Sequence, residues 1–211
     1  MNRQRLPYKN PSSWKGKMKD VPVFLLGNGP SLEDEDISIL QDKYFTIGIN
    51  RIFYVYDPTI LLWQDLDLWK QERDKIMSTK SIKFVREKAD TCGGFYGFNL
   101  NGREPKVPAK PNILYGRGST GSLCFQLAWV LGCNPIFLVG MDCKYRGKKK
   151  TDFYGINKMH KPHTLIKCKE GLKFIKENQN NQNNQNNRTI VNCSDSAIFE
   201  DRTLLLDAIK M

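Results

Sequence analysis

The sequence predicts an α/β fold with a Rossmann-like, doubly wound, mostly parallel sheet. Short apolar runs rich in Val, Ile, Leu and Phe recur between turn residues, which is typical of strands that are buried on both faces. Segments in which the apolar residues have helical spacing alternate with these runs. Because a strand, a helix and a second parallel strand connect in a right-handed crossover, this alternation favours a doubly wound sheet.

Length and composition favour one globular domain, predicted over residues 21–211, behind a basic N-terminal arm at residues 1–20. The chain has 211 residues, of which 40% are hydrophobic and 11% aromatic, enough for one substantial core. No apolar run approaches the ~20 residues that cross a bilayer, and the N-terminus lacks the apolar segment of a secretory signal. We therefore expect a soluble, cytoplasmic protein.

The charge balance favours an anionic partner. The 33 basic and 22 acidic side chains give a formal net charge of +11. A surplus of this size suits a nucleotide, a phosphorylated glycan, nucleic acid or a membrane surface, and charge does not choose among them. A solvated basic face without a special partner is the alternative.

The first predicted strand, 21–26, leads into the turn 27–30, and we expect a helix to begin at Ser31. Gly27 and Gly29 would let backbone N–H groups approach an anion, and the helix N-terminus would add partial positive charge. The turn lacks the Gly-Lys-Ser/Thr of a P-loop and the spacing of a dinucleotide fingerprint. The same residues are also compatible with an ordinary strand-to-helix turn.

The remaining elements follow in the same alternation. We predict helices over 32–40, 66–77, 118–132, 164–177 and 203–211, and strands over 44–50, 58–65, 81–86, 112–115, 134–142 and 188–193. Three segments are predicted to be irregular: a loop-dominated insertion at 88–117, a basic lid at 143–163, and a low-complexity loop at 178–187. Polar residues such as Asn50, Arg51, Asp65 and Asp142 follow strands, at the edge where parallel sheets bind ligands.

Six cysteines, at positions 92, 124, 133, 143, 168 and 193, form no Cys-x-x-Cys pair and have no His at zinc-finger spacing. We interpret them as small buried hydrophobes in a reducing compartment.

Five motifs occur in an order that resembles the bacterial lipooligosaccharide sialyltransferases and the related archaeal hydroxymethylpterin pyrophosphokinases. The motifs are Leu-Gly-Asn-Gly-Pro-Ser-Leu at 26–32, Ile-Gly-Ile-Asn-Arg at 47–51, Gly-Ser-Thr-Gly-Ser at 118–122, Val-Gly-Met-Asp at 139–142, and His163 ahead of a helix. The resemblance implies a GT-A-like sheet with a lid, and inverting transfer of a sugar from a nucleotide donor such as a CMP- or UDP-sugar.

The resemblance also implies site residues. Asn28 and Asn50 would hold the nucleotide, the turn 118–121 would meet its phosphate or sugar, and His163 would be the general base. Together with the residue-based expectations, the predicted donor site comprises Gly27, Asn28, Gly29, Ser31, Asn50, Arg51, Ser119, Thr120, Gly121 and Asp142. For the motif at 118–122, the alternative is that Ser119 or Thr120 only caps the helix that follows.

The lid departs from the family pattern. The family uses two lid tyrosines to stabilise the leaving phosphate, whereas Lys144 stands at the first of these positions, with Tyr145 beside it and Tyr154 further on. Either the tyrosines are displaced, or Lys144 neutralises the phosphate instead. The family's Asn after the third strand is replaced by Gln64 or Asp65, which we assign to the substrate.

Two other functions remain open. A diphosphotransferase resembling the pterin pyrophosphokinases would use Asp65 and Asp142 to hold Mg²⁺ and ATP, so a divalent metal stays unassigned. A basic nucleotide- or nucleic-acid-binding module without catalysis is the third hypothesis. For a glycosyltransferase, the acceptor is an anionic glycan, a small molecule or a hydroxylated base in DNA.

Overall fold

The fold is built on one open sheet of eight parallel strands, which confirms the predicted α/β, Rossmann-like class. The computed structural model describes residues 6–116, 119–147, 150–155, 162–178 and 188–211. The strands are β1 (Val23–Leu26), β2 (Phe45–Ile49), β3 (Ile60–Trp63), β4 (Ile82–Arg86), β5 (Tyr96–Asn101), β6 (Ile113–Tyr115), β7 (Ile136–Val139) and β8 (Ile190–Asn192). The α-helices are α1 (Leu66–Ser78), α2 (Thr120–Leu131), α3 (Pro162–Glu177) and α4 (Leu205–Ala208).

The strand order β6-β5-β4-β3-β2-β1-β7-β8 places a topological switch point beside β1. The chain builds outward from β1 to β6 on one side and then crosses to place β7 and β8 on the other. In register, Val23 of β1 lies opposite Phe45 of β2 and Ile136 of β7. Open parallel sheets bind ligands beyond the carboxyl ends of the strands at such a point.

Apolar side chains cover both faces of the sheet because successive residues of a strand point to opposite sides. In β1, Val23 and Leu25 pack on the face covered by α2 and α3, whereas Phe24 and Leu26 pack on the face covered by α1 and α4. Helix α2 is buried along nearly its whole length. Its lack of a polar face follows from its place between the sheet and α3.

The N-terminal segment lies against the domain over its described residues, 6–20. Trp14 makes edge-to-face contacts with Phe84 and Tyr96, at centroid distances of 5.6 and 5.5 Å. The N–H groups of Gly16 and Met18 donate to carbonyls at the end of α2, at 3.0 and 2.9 Å. The predicted arm is thus part of the packed structure from residue 6 onward.

Three predicted elements differ in the structure. The segment 88–117, predicted to be dominated by loops with a short strand at 112–115, contains β6 there and also the six-residue strand β5, which was not predicted. The predicted helix 32–40 is instead two short 3-10 helices, Pro30–Asp34 and Ile37–Leu40, since Asp36 accepts a hydrogen bond from the Ser38 N–H and begins a new turn. The spacing of the apolar residues in the predicted helix 164–177 places Ile166 on the side that faces the core, but Ile166 is 58% exposed.

Helix α3 begins at Pro162, so that His163 lies in its first turn rather than ahead of it. Proline is favoured at this position because its missing N–H would have no partner there. Residues 179–187, which hold most of the predicted low-complexity loop, lie outside the described residues. Within the described part of the chain, no helix combines the length and apolar character that a membrane crossing requires.

Candidate functional site

A cleft of about 500 Å³ opens where β1, β2, β3 and β7 end, at the switch point of the sheet. Most of the predicted site residues line it: Gly27, Asn28, Gly29, Asn50, Arg51, Gln64, Asp65, Ser119, Thr120, Gly121, Asp142, Tyr154 and His163. Ser31, Lys144 and Tyr145 are not among the lining residues. Gly118, Lys148, Lys149 and His160 lie outside the described residues.

The two glycines of the first turn are required by close packing of backbone against backbone. The Gly27 N–H donates to the Val139 carbonyl and the Gly29 N–H to the Gly140 carbonyl, both at 2.7 Å. A Cβ at position 27 would lie 2.2 Å from the Gly140 oxygen. These N–H groups, which we expected to approach an anion, are therefore used to join the ends of β1 and β7.

Asn28 uses its side-chain amide to join the ends of β1 and β2. Its Nδ2 donates to the Ile49 carbonyl at 2.8 Å, and its Oδ1 accepts from the Arg51 N–H at 3.1 Å. The Asn28 carbonyl accepts from the Phe153 N–H at 2.8 Å. Asn28 therefore fixes the relative position of three segments that line the cleft.

Asp142 and Ser31 form a buried pair below the turn. The Asp142 carboxylate accepts from both the N–H and the hydroxyl of Ser31, and the two residues are 3% and 0% exposed. Burial raises the pKa of Asp142. The hydrogen bonds from Ser31 favour the ionised form and lower this pKa, but burial has the larger effect. A Cβ on Gly29 would lie 2.5 Å from the Asp142 Cγ, so this glycine makes room for the carboxylate.

Asn50 and Arg51, at the end of β2, both line the cleft. Asn50 has a φ of +50°, and within the described part of the chain its buried Oδ1 has no hydrogen-bond partner. Arg51 donates to Glu72 at 3.2 Å and to Gln71 at 2.5 Å, and its guanidinium lies 5.8 Å from the centroid of the Tyr154 ring.

Glu72 holds Arg51 in place as a carboxylate. Burial raises the pKa of Glu72, but hydrogen bonds from Tyr54, Arg51 and Lys75 outweigh burial and hold this pKa below its usual value. The ionised form that these donors stabilise is the one that pairs with Arg51. The network therefore orients the guanidinium at the mouth of the cleft.

Three helices begin at the cleft. Asp65 is the N-cap residue of α1, Ser119 is that of α2, and His163 and Thr164 belong to the first turn of α3; all four line the cleft. The Gln64 side chain donates to the Thr120 hydroxyl at 2.9 Å and so connects β3 to the start of α2. Because the N-terminus of each helix carries partial positive charge, the three together favour a bound anion.

Helix α3 also supplies a cation that the sequence analysis missed. Lys167 lies four residues after His163, which places both side chains on the same face of the helix, and both line the cleft. Within the described residues, Lys167 forms no ion pair and His163 makes no side-chain hydrogen bond. The spacing of four residues was the sequence signal for Lys167.

The lining of the cleft is mixed in charge. Its cationic side chains are Arg51, Arg86 and Lys167, and its carboxylates are Asp65, Asp67, Asp142 and Asp152. The surplus charge of the chain is therefore not concentrated here. Among the described residues, no three His, Cys, Asp or Glu side chains are grouped so that they could hold a metal ion.

The described part of the predicted lid is held against the first turn by charged groups. Arg146 donates to the Pro30 carbonyl at 3.1 Å and pairs with Asp34 at 2.9 Å, and Lys150 pairs with Glu33 at 2.6 Å. The predicted catalytic residues of this segment do not lie together. Tyr154 lines the cleft, whereas Lys144 pairs with Asp195 at 2.5 Å and Tyr145 is 41% exposed.

Comparison with known proteins gives a relationship at the level of fold. No family model matches the sequence, and no curated protein sequence matches it either. A solved structure of the MAf glycosyltransferase from Magnetospirillum magneticum AMB-1 superposes with a TM-score of 0.60 at 15% identity, over 97% of this chain. The chain shares the fold of a glycosyltransferase. It spans 36% of the length of the MAf chain.

More distant similarity is found to a sialyltransferase. CstII from Campylobacter jejuni, solved with the substrate analogue CMP-3FNeuAc, has a TM-score of 0.42 and 12% identity, over 82% of this chain and 80% of CstII. A complex of CstII with CMP and a trisaccharide acceptor has a TM-score of 0.45 and 13% identity, over 81% and 80% of the two chains.

Proposed function

We propose that this protein is a nucleotide-sugar-dependent, inverting glycosyltransferase that transfers a sugar to a hydroxyl acceptor. The observation that carries this proposal is the cleft at the switch point, where three helix N-termini meet and α3 presents His163 and Lys167 side by side. Partial positive charge suits the phosphate of a donor. A neighbouring imidazole suits removal of a proton from a hydroxyl.

Asn50 suits the base of a pyrimidine nucleotide, and the resemblance to the sialyltransferases favours CMP. Its Oδ1 is a buried acceptor without a partner in the described part of the chain, and such an atom gains most from a ligand that donates a hydrogen bond. Cytosine donates from its exocyclic amino group and uracil from its ring N3–H, so this acceptor fits either base. The base of the donor therefore lies at the end of β2 in this proposal.

The reaction needs one base and one stabiliser of negative charge. His163 accepts the acceptor's hydroxyl proton while the oxygen forms a bond to the anomeric carbon, and the bond from that carbon to the donor phosphate breaks. The departing nucleotide takes the electron pair and gains negative charge. Lys167 and the N-termini of α2 and α3 stabilise this charge, and preorganised groups of this kind contribute much of the rate in many enzymes.

A nucleotide panel tests the proposed donor. We expect CMP and a CMP-sugar to raise the melting temperature of the protein, since a ligand at 100 times its Kd stabilises a fold by about 2.7 kcal/mol. UDP- and GDP-sugars and Mg-ATP complete the panel. Mass spectrometry of reactions with a glycan acceptor or a duplex DNA carrying a hydroxylated base then identifies the product. Stabilisation by Mg-ATP alone would reject sugar transfer in favour of the diphosphotransferase hypothesis.

The variant Lys167→Ala tests the proposed role of Lys167 at the leaving phosphate. We expect kcat for sugar transfer to fall by about 10- to 100-fold, since an ion-paired hydrogen bond contributes about 1.5–3 kcal/mol. Steady-state kinetics with a CMP-sugar measure this change.

Lys173→Ala is the matched control, because Lys173 is exposed on the same helix and does not line the cleft. Equal kcat values for the two variants would remove Lys167 from the mechanism.

A further inference from the structure

The proposed reaction leaves one end of the cleft unassigned. The donor and the catalytic groups are placed at the ends of β1 and β2 and at the first turns of α2 and α3. The lining continues past β3 to Arg86, the last residue of β4, and to Leu100 in β5. Neighbouring strands are about 4.8 Å apart, so β4 lies about 10 Å from β2, where the base of the donor is placed. A group bound beside Arg86 is therefore separate from that base.

The strand register places Gln64, Arg86 and Leu100 on one face of the sheet. Gln64 follows β3 and lies next to Arg86 of β4, because the residues that precede them are paired. In each of the three segments, the residue two positions earlier is buried on the face covered by α2 and α3, and residues two positions apart share a face. The hydrogen bond from Gln64 to Thr120, at the start of α2, agrees with this arrangement.

Arg86 brings a guanidinium group to this end of the cleft. The residue is exposed, and within the described part of the chain its side chain forms neither an ion pair nor a hydrogen bond. Arg51, in contrast, is held by Glu72 and Gln71. The N–H groups of a guanidinium form a planar fork that matches two oxygens of a carboxylate or a phosphate. Arg86 is therefore available to bind an anionic group of a ligand.

Gln64 and Leu100 complete the lining beside this guanidinium. Gln64 is 6% exposed; its Nε2 donates to Thr120, while its Oε1 accepts no hydrogen bond from the described residues. A buried acceptor gains most from a ligand that donates to it, and a sugar hydroxyl is such a donor. Leu100 is half-buried and offers apolar surface to the C–H groups of a sugar ring. The three side chains together match a sugar that carries an acidic group.

We propose that Gln64, Arg86 and Leu100 form an acceptor subsite, which binds the carboxylate or phosphate of an acidic glycan. This assignment rests on the proposed function, because a donor at β1 and β2 leaves this end of the cleft to the acceptor. A glycan suits the subsite better than DNA does. The lining also carries Asp65 and Asp67, which repel a polyanion more strongly than a single anionic group bound directly to Arg86.

Binding of two small sugar acids tests the subsite without any turnover. The probes are methyl glucuronide, which carries a carboxylate, and glucose 6-phosphate; methyl glucoside is the uncharged reference. We expect Arg86→Gln to weaken the binding of at least one sugar acid by about 10-fold or more, the usual contribution of a hydrogen bond between charged groups. Binding of methyl glucoside should not change. Saturation-transfer NMR titrations measure the dissociation constants, and the acid that is affected identifies the anionic group.

Arg103→Gln is the matched control, because Arg103 is exposed and does not line the cleft. It should bind all three sugars as the wild type does. With a CMP-sugar as donor, Arg86→Gln should raise KM for an acidic acceptor and leave kcat and the CMP dissociation constant unchanged. Arg86→Lys keeps the charge but loses the fork, so it should recover part of the affinity. Circular dichroism establishes that each variant is folded.

Absent binding of both sugar acids, or binding that is equal in the wild type and Arg86→Gln, would overturn the subsite. Weaker binding of CMP by Arg86→Gln in place of a sugar acid would assign Arg86 to the donor. Weaker binding of duplex DNA, with both acids unaffected, would make DNA the acceptor and overturn the glycan. The proposed function fails separately: if CMP and CMP-sugars do not bind but a sugar acid still binds through Arg86, only the donor is wrong.

Discussion

Replacing His163 with alanine is expected to lower kcat for sugar transfer by about 10²- to 10⁴-fold, the usual contribution of a general base. The nucleotide dissociation constant should change by less than about threefold, because the acceptor and not the nucleotide meets the imidazole in the proposed reaction. The fold should persist, since His163 is exposed and its side chain makes no hydrogen bond within the described residues. Steady-state kinetics with a CMP-sugar, together with titration of CMP, measure both quantities.

The control for this variant is again Lys173→Ala, on the same helix but outside the cleft. It should leave kcat and nucleotide affinity unchanged. A His163→Ala protein that retains wild-type kcat would show that another group accepts the proton. If the variant loses nucleotide affinity instead, His163 contacts the donor and not the acceptor.

Replacing Gly27 with alanine is expected to destabilise the protein by about 3 kcal/mol or more, which is the upper range for overpacking. The added Cβ would lie 2.2 Å from the Gly140 oxygen and 2.8 Å from the Gly140 carbonyl carbon. Both are backbone atoms of the neighbouring segment, so relief of the contact requires β1 and β7 to separate. Thermal unfolding should show a melting temperature lower by roughly 6–12 °C for a domain of this size.

The matched control is Gly102→Ala. Gly102 has a φ of +66° and nothing within 4 Å of the added Cβ, so the substitution costs only the left-handed backbone conformation, about 1–2 kcal/mol. If Gly27→Ala unfolds at the same temperature as Gly102→Ala, the close approach of β1 and β7 does not require glycine. The comparison separates steric contact from backbone strain.

Much of the sheet could be predicted because its signals are local. A buried parallel strand needs a short apolar run between turn residues, and the runs at β1, β2, β3 and β7 are of this kind. β5 was missed because it contains Gly97, Asn99 and Asn101, residue types that are depleted in strands. Its conformation is stabilised by pairing with β4 and by contact with the N-terminal segment, which is distant in sequence.

The cleft could be predicted only in outline. Polar residues after parallel strands must gather at one edge of the sheet, and this rule alone brought Asn50, Asp65 and Asp142 together. The roles of individual atoms depend on partners that no local pattern specifies. The Gly27 and Gly29 N–H groups bond to the end of β7, and the Asn28 amide bonds to the end of β2.

By itself the sequence determined the α/β class, most of the strands and the edge of the sheet at which the cleft lies, because each follows from short-range patterns of apolar and turn residues. Only the tertiary structure decided which groups face the cleft. The packing of α3 turned Lys167 toward it, while Lys144 forms an ion pair with Asp195 and does not line the cleft. Such choices depend on contacts between segments far apart in the chain, and these contacts exist only once the sheet and its helices have assembled.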